Sequence, residues 1–574
     1  MAALPGTLVA WRGLVTRRAA AVLVAAVLAL AALAASRCAD AAEAAAADTE
    51  PRGVSGPLVD VDEAIPEPEL HYRPPVAEAA PALRLLYPPP AAGNDPSLGP
   101  RNGQRALLEF AAVLLTENIR YWAESSFPED NQFQLTWEDQ KEKLLELEGV
   151  RFDSNGFQTN WTHAYAGAIY YSLGRINNLG VGESFLLSAF ASLYWETVVE
   201  WKEVFSVNDT ILTDFGALSI GEPWYQLSRY LLSRPSPVAR TLGFVIHPLM
   251  GLQTVLDPAS RPTATDHQTL PGYGVFLSLG TATTDSHYPS DTGSSLSLGL
   301  RSRLALAPGF TSPGTESRQG WEVLSSNLAI NADLEDGSAR EIDFFSGAVF
   351  YGRLERRVRE DSRGSASILG LGSAFTLFRK EPVTDYDAGK VRVGLDDLYL
   401  EEPRDFRDKY SIVHLFGPVY EGYWRGSTAT VTWGLEAYPD FALVNAYALN
   451  AYSVDHEVAG SKTTMLYSGY YYGYGGSAIA RFAAGTGPVS FGTAASMHYH
   501  ASIEGLDRFQ DELTNDVHAS DTWLRVDARL GVSIPGTPLS VEATARWSSR
   551  HGTVGDTDAH GTESRYSLGV TCRL

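Results

Sequence analysis

Between Asn160 and Glu222 the chain sets Asn160, His163, Arg175, Glu196, Glu200, Asp209 and Glu222 into an otherwise apolar stretch with helical patterning. A polar or charged group buried in such a stretch must be paired or hydrogen-bonded, so this density demands a reason. His163 with Glu196, Glu200 and Asp209 offers nitrogen and oxygen donors of the kind that hold a divalent cation. The same residues could do acid–base chemistry on a lipid or glycan, with Glu196 or Glu200 orienting His163 as a general base. A third use is structural: Asn160, Tyr170, Arg175, Ser206 and Glu222 would satisfy one another, or a bound molecule, and fix helix packing. No H-E-x-x-H or G-x-S-x-G signature accompanies the set. Catalytic candidates are therefore His163, Glu196, Glu200 and Asp209, with no metal assigned and no cofactor expected.

These residues need helices to position them. Apolar residues at helical spacing mark segments 106–122, 161–173, 184–201, 210–231 and 237–256, which define a helical domain over 104–257. His163, Gly167 and Tyr170 share one helix face, and Gly167 leaves room for a second helix to come close. Glu196, Glu200 and Glu203 form a carboxylate stripe on the next helix. Ser206-Val207-Asn208-Asp209 reads as a break followed by an N-cap at Asp209, and Gly221-Glu222 marks a further break.

In Asn160-Trp161-Thr162-His163, Gly167, Tyr170-Tyr171, Arg175, Ser192, Trp195-Glu196, Glu200, Ser206-Val207-Asn208-Asp209 and Gly221-Glu222, over about residues 152–231, the chain resembles a bacterial family. That family is domain of unknown function 3943, found in envelope proteins and often joined to a C-terminal β-barrel. Where its His is commonly followed by Pro, this chain has Ala164. The resemblance implies an envelope location and brings no activity.

After about residue 263 the period changes to two. Leu524, Val526, Ala528, Leu530 and Val532 alternate with Arg525, Asp527, Arg529 and Gly531, and similar runs recur to the last residue. Runs of about 9–13 residues suit tilted membrane-crossing strands. The segment 263–574 is predicted to form an antiparallel transmembrane β-barrel of about 12 strands, an even number, giving a fold class of helical domain plus membrane β-barrel. Tyr566, Leu568, Val570, Cys572 and Leu574 make a closing strand, similar to those of bacterial outer-membrane barrels, which usually end in Phe or Trp. The Tyr-rich run 467–474 suits an interfacial aromatic girdle. His498 and His500 share one side of a strand, as a lumen lining or a metal pair. The competing architecture is a secreted, soluble β-sandwich with a binding role.

Residues 1–41 read as a signal peptide, with Arg12, Arg17 and Arg18 before the apolar run 19–35 and an A-x-A site at 39–41. Residues 42–103, rich in Ala and Pro, read as a disordered linker. A net charge of −23 disfavours nucleic acid as a partner. The expected location is the bacterial outer membrane, with the helical domain periplasmic or plugging the barrel. The expected surroundings are outer-membrane lipid and the barrel-assembly machinery, with any further protein partner undetermined, and the role is transport or envelope organisation.

Overall fold

The computed structural model describes residues 101–124, 136–146, 149–257, 262, 274–287, 290–305, 313–380 and 408–574. The signal peptide and the linker up to residue 100 lie outside the described residues.

The first part of the described chain is helical: α1 (Gly103–Glu124), α2 (Trp137–Lys141), α3 (Phe157–Ile176), α4 (Val181–Tyr194), α5 (Val207–Gly216), α6 (Glu222–Ser233), α7 (Pro237–Ile246) and α8 (Pro248–Leu256). Two wide π-helical turns, Trp195–Val199 after α4 and Ala217–Gly221 between α5 and α6, interrupt what periodicity alone reads as longer helices. The cap of α5 is Ser206, not Asp209: its hydroxyl accepts from the Asp209 backbone N–H at 3.3 Å, and Asp209 falls inside the first turn. Serine reaches that free N–H, and the Asp209 carboxylate then meets the positive end of the helix. Gly167 of α3 does admit a close neighbour. A Cβ there would run into the backbone carbonyl of Thr213 in α5, and one at Gly216 would run into Ala164 of α3.

Twelve antiparallel strands follow: β1 (Gly274–His287), β2 (Ser290–Ala305), β3 (Gly314–Glu335), β4 (Ser338–Val358), β5 (Gly364–Lys380), β6 (Lys409–Arg425), β7 (Ala429–Asn445), β8 (Tyr470–Thr486), β9 (Val489–Ser502), β10 (Ala519–Ser533), β11 (Leu539–Val554) and β12 (Thr557–Arg573). Each pairs with its sequence neighbour, and β12 pairs with β1 to close the barrel. One closed sheet replaces the two facing sheets of a sandwich, so that alternative falls away. At 14–22 residues the strands are longer than the 9–13 that the alternation suggests.

Residues directly opposite in a ladder share a face, which sorts inside from outside. Arg525 on β10 meets Asp343 on β4 at 2.7 Å, and these strands stand six places apart around a barrel of 12. Only the lumen connects them, so Asp343 faces inward and its neighbour Phe344 outward. The register carries the outward row Leu277–Leu300–Ile330–Phe344–Leu377–Ser411–Leu443–Tyr472 across eight strands.

The helices pack on this outward row. Phe157, Leu212, Ile220, Leu227 and Leu231 form one buried cluster with Leu277, Leu300, Phe344, Leu377, Leu443 and Tyr472. Phe215 of α5 meets Phe416 of β6 with ring centroids 5.7 Å apart. A plug inside the barrel is therefore not what the helices form: strand side chains occupy the lumen, and the helical unit lies against the barrel's outside wall. The unit also touches both rims. Tyr230 of α6 donates to the carbonyl of Leu574 at 3.2 Å, at the C-terminal rim. Phe152 donates its backbone N–H to Leu506 at 2.7 Å, in the 503–518 connection on the opposite, long-loop rim.

Candidate functional site

The polar residues of the helical unit fall into two networks. The first surrounds the N-terminus of α5. Asp209 lies with its Oδ1 3.4 Å from His163 Nε2, so α3 and α5 bring these two together. The same carboxylate accepts from Asn208 Nδ2 at 2.9 Å and from Asn155 Nδ2 at 3.2 Å. Asn208 also donates to Asn160 Oδ1 at 2.7 Å and accepts from the Ser206 hydroxyl at 2.9 Å. Asn160 is fully buried and bonded to the barrel. It donates to the Tyr470 hydroxyl at 2.9 Å and accepts from the Tyr472 hydroxyl at 3.1 Å.

Glu196 and Glu200 do not join His163. Their stripe ends with the helix: Glu196 lies in the π-turn and accepts from the Ser206 backbone N–H at 2.7 Å. Glu200 caps that turn and accepts from Trp195 Nε1 at 3.0 Å, while Glu203 accepts from the Tyr121 hydroxyl at 2.6 Å. Lys143 reaches between them, donating to the backbone carbonyls of Glu196 and Glu200. Burial, reinforced by Glu200 and Asp209, pushes the Glu196 carboxyl up to about 9. Burial, with Glu203 and Asp209, pushes Glu200 up to about 8. Asp209 is also raised by burial against the pull of His163, and burial lowers Lys143. The unit thus keeps protonatable carboxyls beside the long-loop rim, where Arg508 of the 503–518 connection pairs with Asp153.

The second network is a closed ion pair. Arg175 of α3 meets Glu222 of α6 through two parallel bonds of 2.8 and 3.1 Å, and both residues are buried. Tyr171 and Gln226 donate to the same carboxylate at 2.5 and 2.6 Å, and the guanidinium stacks over Tyr225 at 4.8 Å. Tyr170 turns elsewhere and donates to Glu117 of α1. Its place on the helix face of His163 does not bring it to Asp209.

Chemically, the His163–Asp209 pair has the make-up of an imidazole with an orienting carboxylate, with no hydroxyl or thiol nucleophile bonded to His163 among the described residues. Nor is any group of three or more His, Cys, Asp or Glu side chains placed to hold a metal ion among the described residues. Asn155, Asn208, Tyr470 and Tyr472 complete the network; the sequence marks Asn208 as part of the 206–209 helix break and the two tyrosines as girdle residues, and Asn155 not at all. The signal available was period two across 470–472, which puts Tyr470 and Tyr472 on one face and Tyr471 on the other.

The lumen carries a third set of polar groups. Arg546 of β11 reaches Glu341 at 2.6 Å and Asp343 at 2.8 Å on β4, and Arg565 of β12 reaches Asp333 of β3 at 2.6 Å. His500 and His498 do line the lumen. His500 Nε2 lies 3.2 Å from Asp440, which also meets His414 Nδ1 at 2.7 Å, and Ser477 bridges Asp440 to His498.

A closed antiparallel barrel of 12 strands, charged inside and apolar outside, is the fold of a bacterial outer-membrane β-barrel, here with a helical unit on its wall. Residues 149–249 of that unit match the family model described as "Domain of unknown function (DUF3943)". No curated protein matches the chain in sequence. Among solved structures, the chain is similar to a loop L8 deletion mutant of OmpT, an outer membrane protein of Vibrio cholerae (8% identity, 51% of this chain and 98% of that chain, TM-score 0.19). It is also similar to the CymD monoaromatic hydrocarbon channel (9% identity, 56% and 92%, TM-score 0.16). A third is the translocator domain of the autotransporter NalP from Neisseria meningitidis (12% identity, 57% and 95%, TM-score 0.19).

Proposed function

We propose that this outer-membrane protein organises the envelope, with the barrel serving as a mount for the helical unit and not as an open conduit. The supporting observation is the lumen: Arg525, Arg546 and Arg565 cross to acidic residues on strands three to six places away. A barrel of this size has room for a water-filled passage, and here ion pairs occupy it. Of the two roles open from sequence, transport and envelope organisation, a filled lumen favours the second. In this reading the short turns of the C-terminal rim face the periplasm and the long connections face outward. The helical unit, bonded at both rims, is then not confined to the periplasm. Outer-membrane lipid surrounds the protein, and the barrel-assembly machinery inserts it.

The test is conductance of the full-length protein in a planar bilayer. No steady open level is expected from the wild-type chain, and the Arg525→Ser/Arg546→Ser double variant should open one. A stable ohmic conductance in the wild-type protein would overturn the proposal in favour of transport.

A further inference from the structure

The outward surface of the helical unit is built the wrong way round for water. In α4, Ser184, Ser188 and Ser192 recur every fourth residue and are buried, whereas Leu186, Phe190 and Leu193 are 66, 56 and 53% exposed. The serines let the neighbouring helix come close: a Cβ at Gly174 of α3 would collide with Ser184, and Ser188 donates to the Gly167 carbonyl at 3.4 Å. A helix in water presents its polar stripe to solvent and its apolar stripe to the core. Small residues at the helix interface with leucines outside is the pattern of helices packed within lipid. The single charge of α4, Glu183, sits in its first turn and pairs with Arg101. The longer α1 also exposes apolar residues along one face, Leu108, Leu115 and Ile119, while its own buried side is made of large residues, Phe110 and Leu114.

Position agrees with pattern. The unit packs on the outward wall and is bonded to both rims, so it occupies the depth that the barrel strands traverse. Phe185 of α4 packs beside Ala348 and Phe350, near the middle of β4. The barrel wall the unit leaves uncovered is the ordinary apolar belt, with Leu524, Val526, Leu568 and Val570 exposed. The exposed leucines of α1 and α4 continue that belt. No described helix is long and apolar enough to cross a membrane by itself. The unit instead leans on strands that cross, and it pairs its own charges internally, as Arg175 does with Glu222.

We infer that the helical unit is embedded in the bilayer beside the barrel, and that the exposed faces of α1 and α4 bind lipid acyl chains. This rests on the barrel being a membrane barrel and is independent of whether its lumen conducts. The test uses the full chain in a Cys38→Ser/Cys572→Ser background, reconstituted in phospholipid vesicles, with nitroxide labels at Leu108→Cys, Leu186→Cys and Leu193→Cys. Leu568→Cys on the barrel serves as the membrane control. Expected is high collision with oxygen and low collision with a water-soluble nickel chelate at all four sites. Nickel access at the helical sites with a protected Leu568→Cys would overturn this inference and leave the barrel intact. Low collision with both reagents at the helical sites would overturn it in favour of a protein covering. Nickel access at Leu568→Cys itself would instead overturn the membrane barrel. Three helical sites guard against one variant that fails to fold.

Discussion

In the lumen, Arg546 has three carboxylates within reach, Glu341, Asp343 and Asp527, and Asp343 is shared with Arg525. In the helical unit, Arg175 has one carboxylate, Glu222, and Glu222 has one guanidinium. Both regions bury charge, but the first is a mesh with alternates and the second a single closed pair with hydroxyl and amide support. The mesh spans the lumen from β10 and β11 to β4 and so bears on what passes through the barrel. The pair joins α3 to α6 and so bears on whether the unit stands at all. Losing one member should act differently in the two places.

The largest effect is expected from Arg175→Ala. It strands Glu222 in a buried site, where breaking such a pair costs about 3–5 kcal/mol. Protease digestion should then cut the helical unit while the barrel keeps its heat-modifiable gel mobility. Arg546→Ala should lower barrel stability less, since Arg525 still neutralises Asp343; equal losses in the two variants would erase the contrast between mesh and pair. Gly167→Val comes next. Its side chain meets the backbone of Thr213, and forcing α3 from α5 should cost about 3 kcal/mol, read as a lower denaturant midpoint of the unit. Tyr470→Phe with Tyr472→Phe removes the hydroxyls that reach Asn160 across the wall. At about 1 kcal/mol per hydrogen bond, the unit should loosen from the barrel without unfolding, seen as faster amide exchange in α3.

A pH dependence of the unit follows from its buried carboxyls. Glu196 and Glu200 start from 4.5 when unfolded and rise to about 9 and about 8 on folding. Between those values the folded chain binds more protons than the unfolded one. Stability of the unit therefore falls as pH rises from about 4.5 to about 9 and levels off above. Its urea midpoint should be higher at pH 6 than at pH 9, and Glu196→Gln should flatten that slope.

Much of this contrast is legible in the residues themselves. Period two along 524–533 separates an apolar face from Arg525, Asp527 and Arg529, and the structure pairs Arg525 with Asp527 at 2.7 Å inside the barrel. The closing strand ending beside Leu574 follows from the same alternation, and the expectation of about 12 strands agrees with the closed barrel. The helical stretch shows itself by its period, and Gly167 by its missing side chain. What alternation does not carry is which face of the wall a helix will choose. That choice depends on Phe344, Leu377 and Leu443 falling in one register row from β4 to β7, a match between residues about a hundred positions apart. The same holds for the site. Helical spacing groups His163 with Tyr170 and Glu196 with Glu200, but the π-turn at Trp195–Val199 redirects the glutamates, and a tertiary contact delivers Asp209 to His163.

The claim that the helical unit stands outside the barrel, opposite the charged lumen, is tested most directly by cross-linking in a Cys38→Ser/Cys572→Ser background. Phe215→Cys should be bridged to Phe416→Cys by a short bifunctional maleimide, and should not be bridged to Arg525→Cys in the lumen. A bridge to Arg525→Cys with none to Phe416→Cys would put the helices inside the barrel and contradict the account.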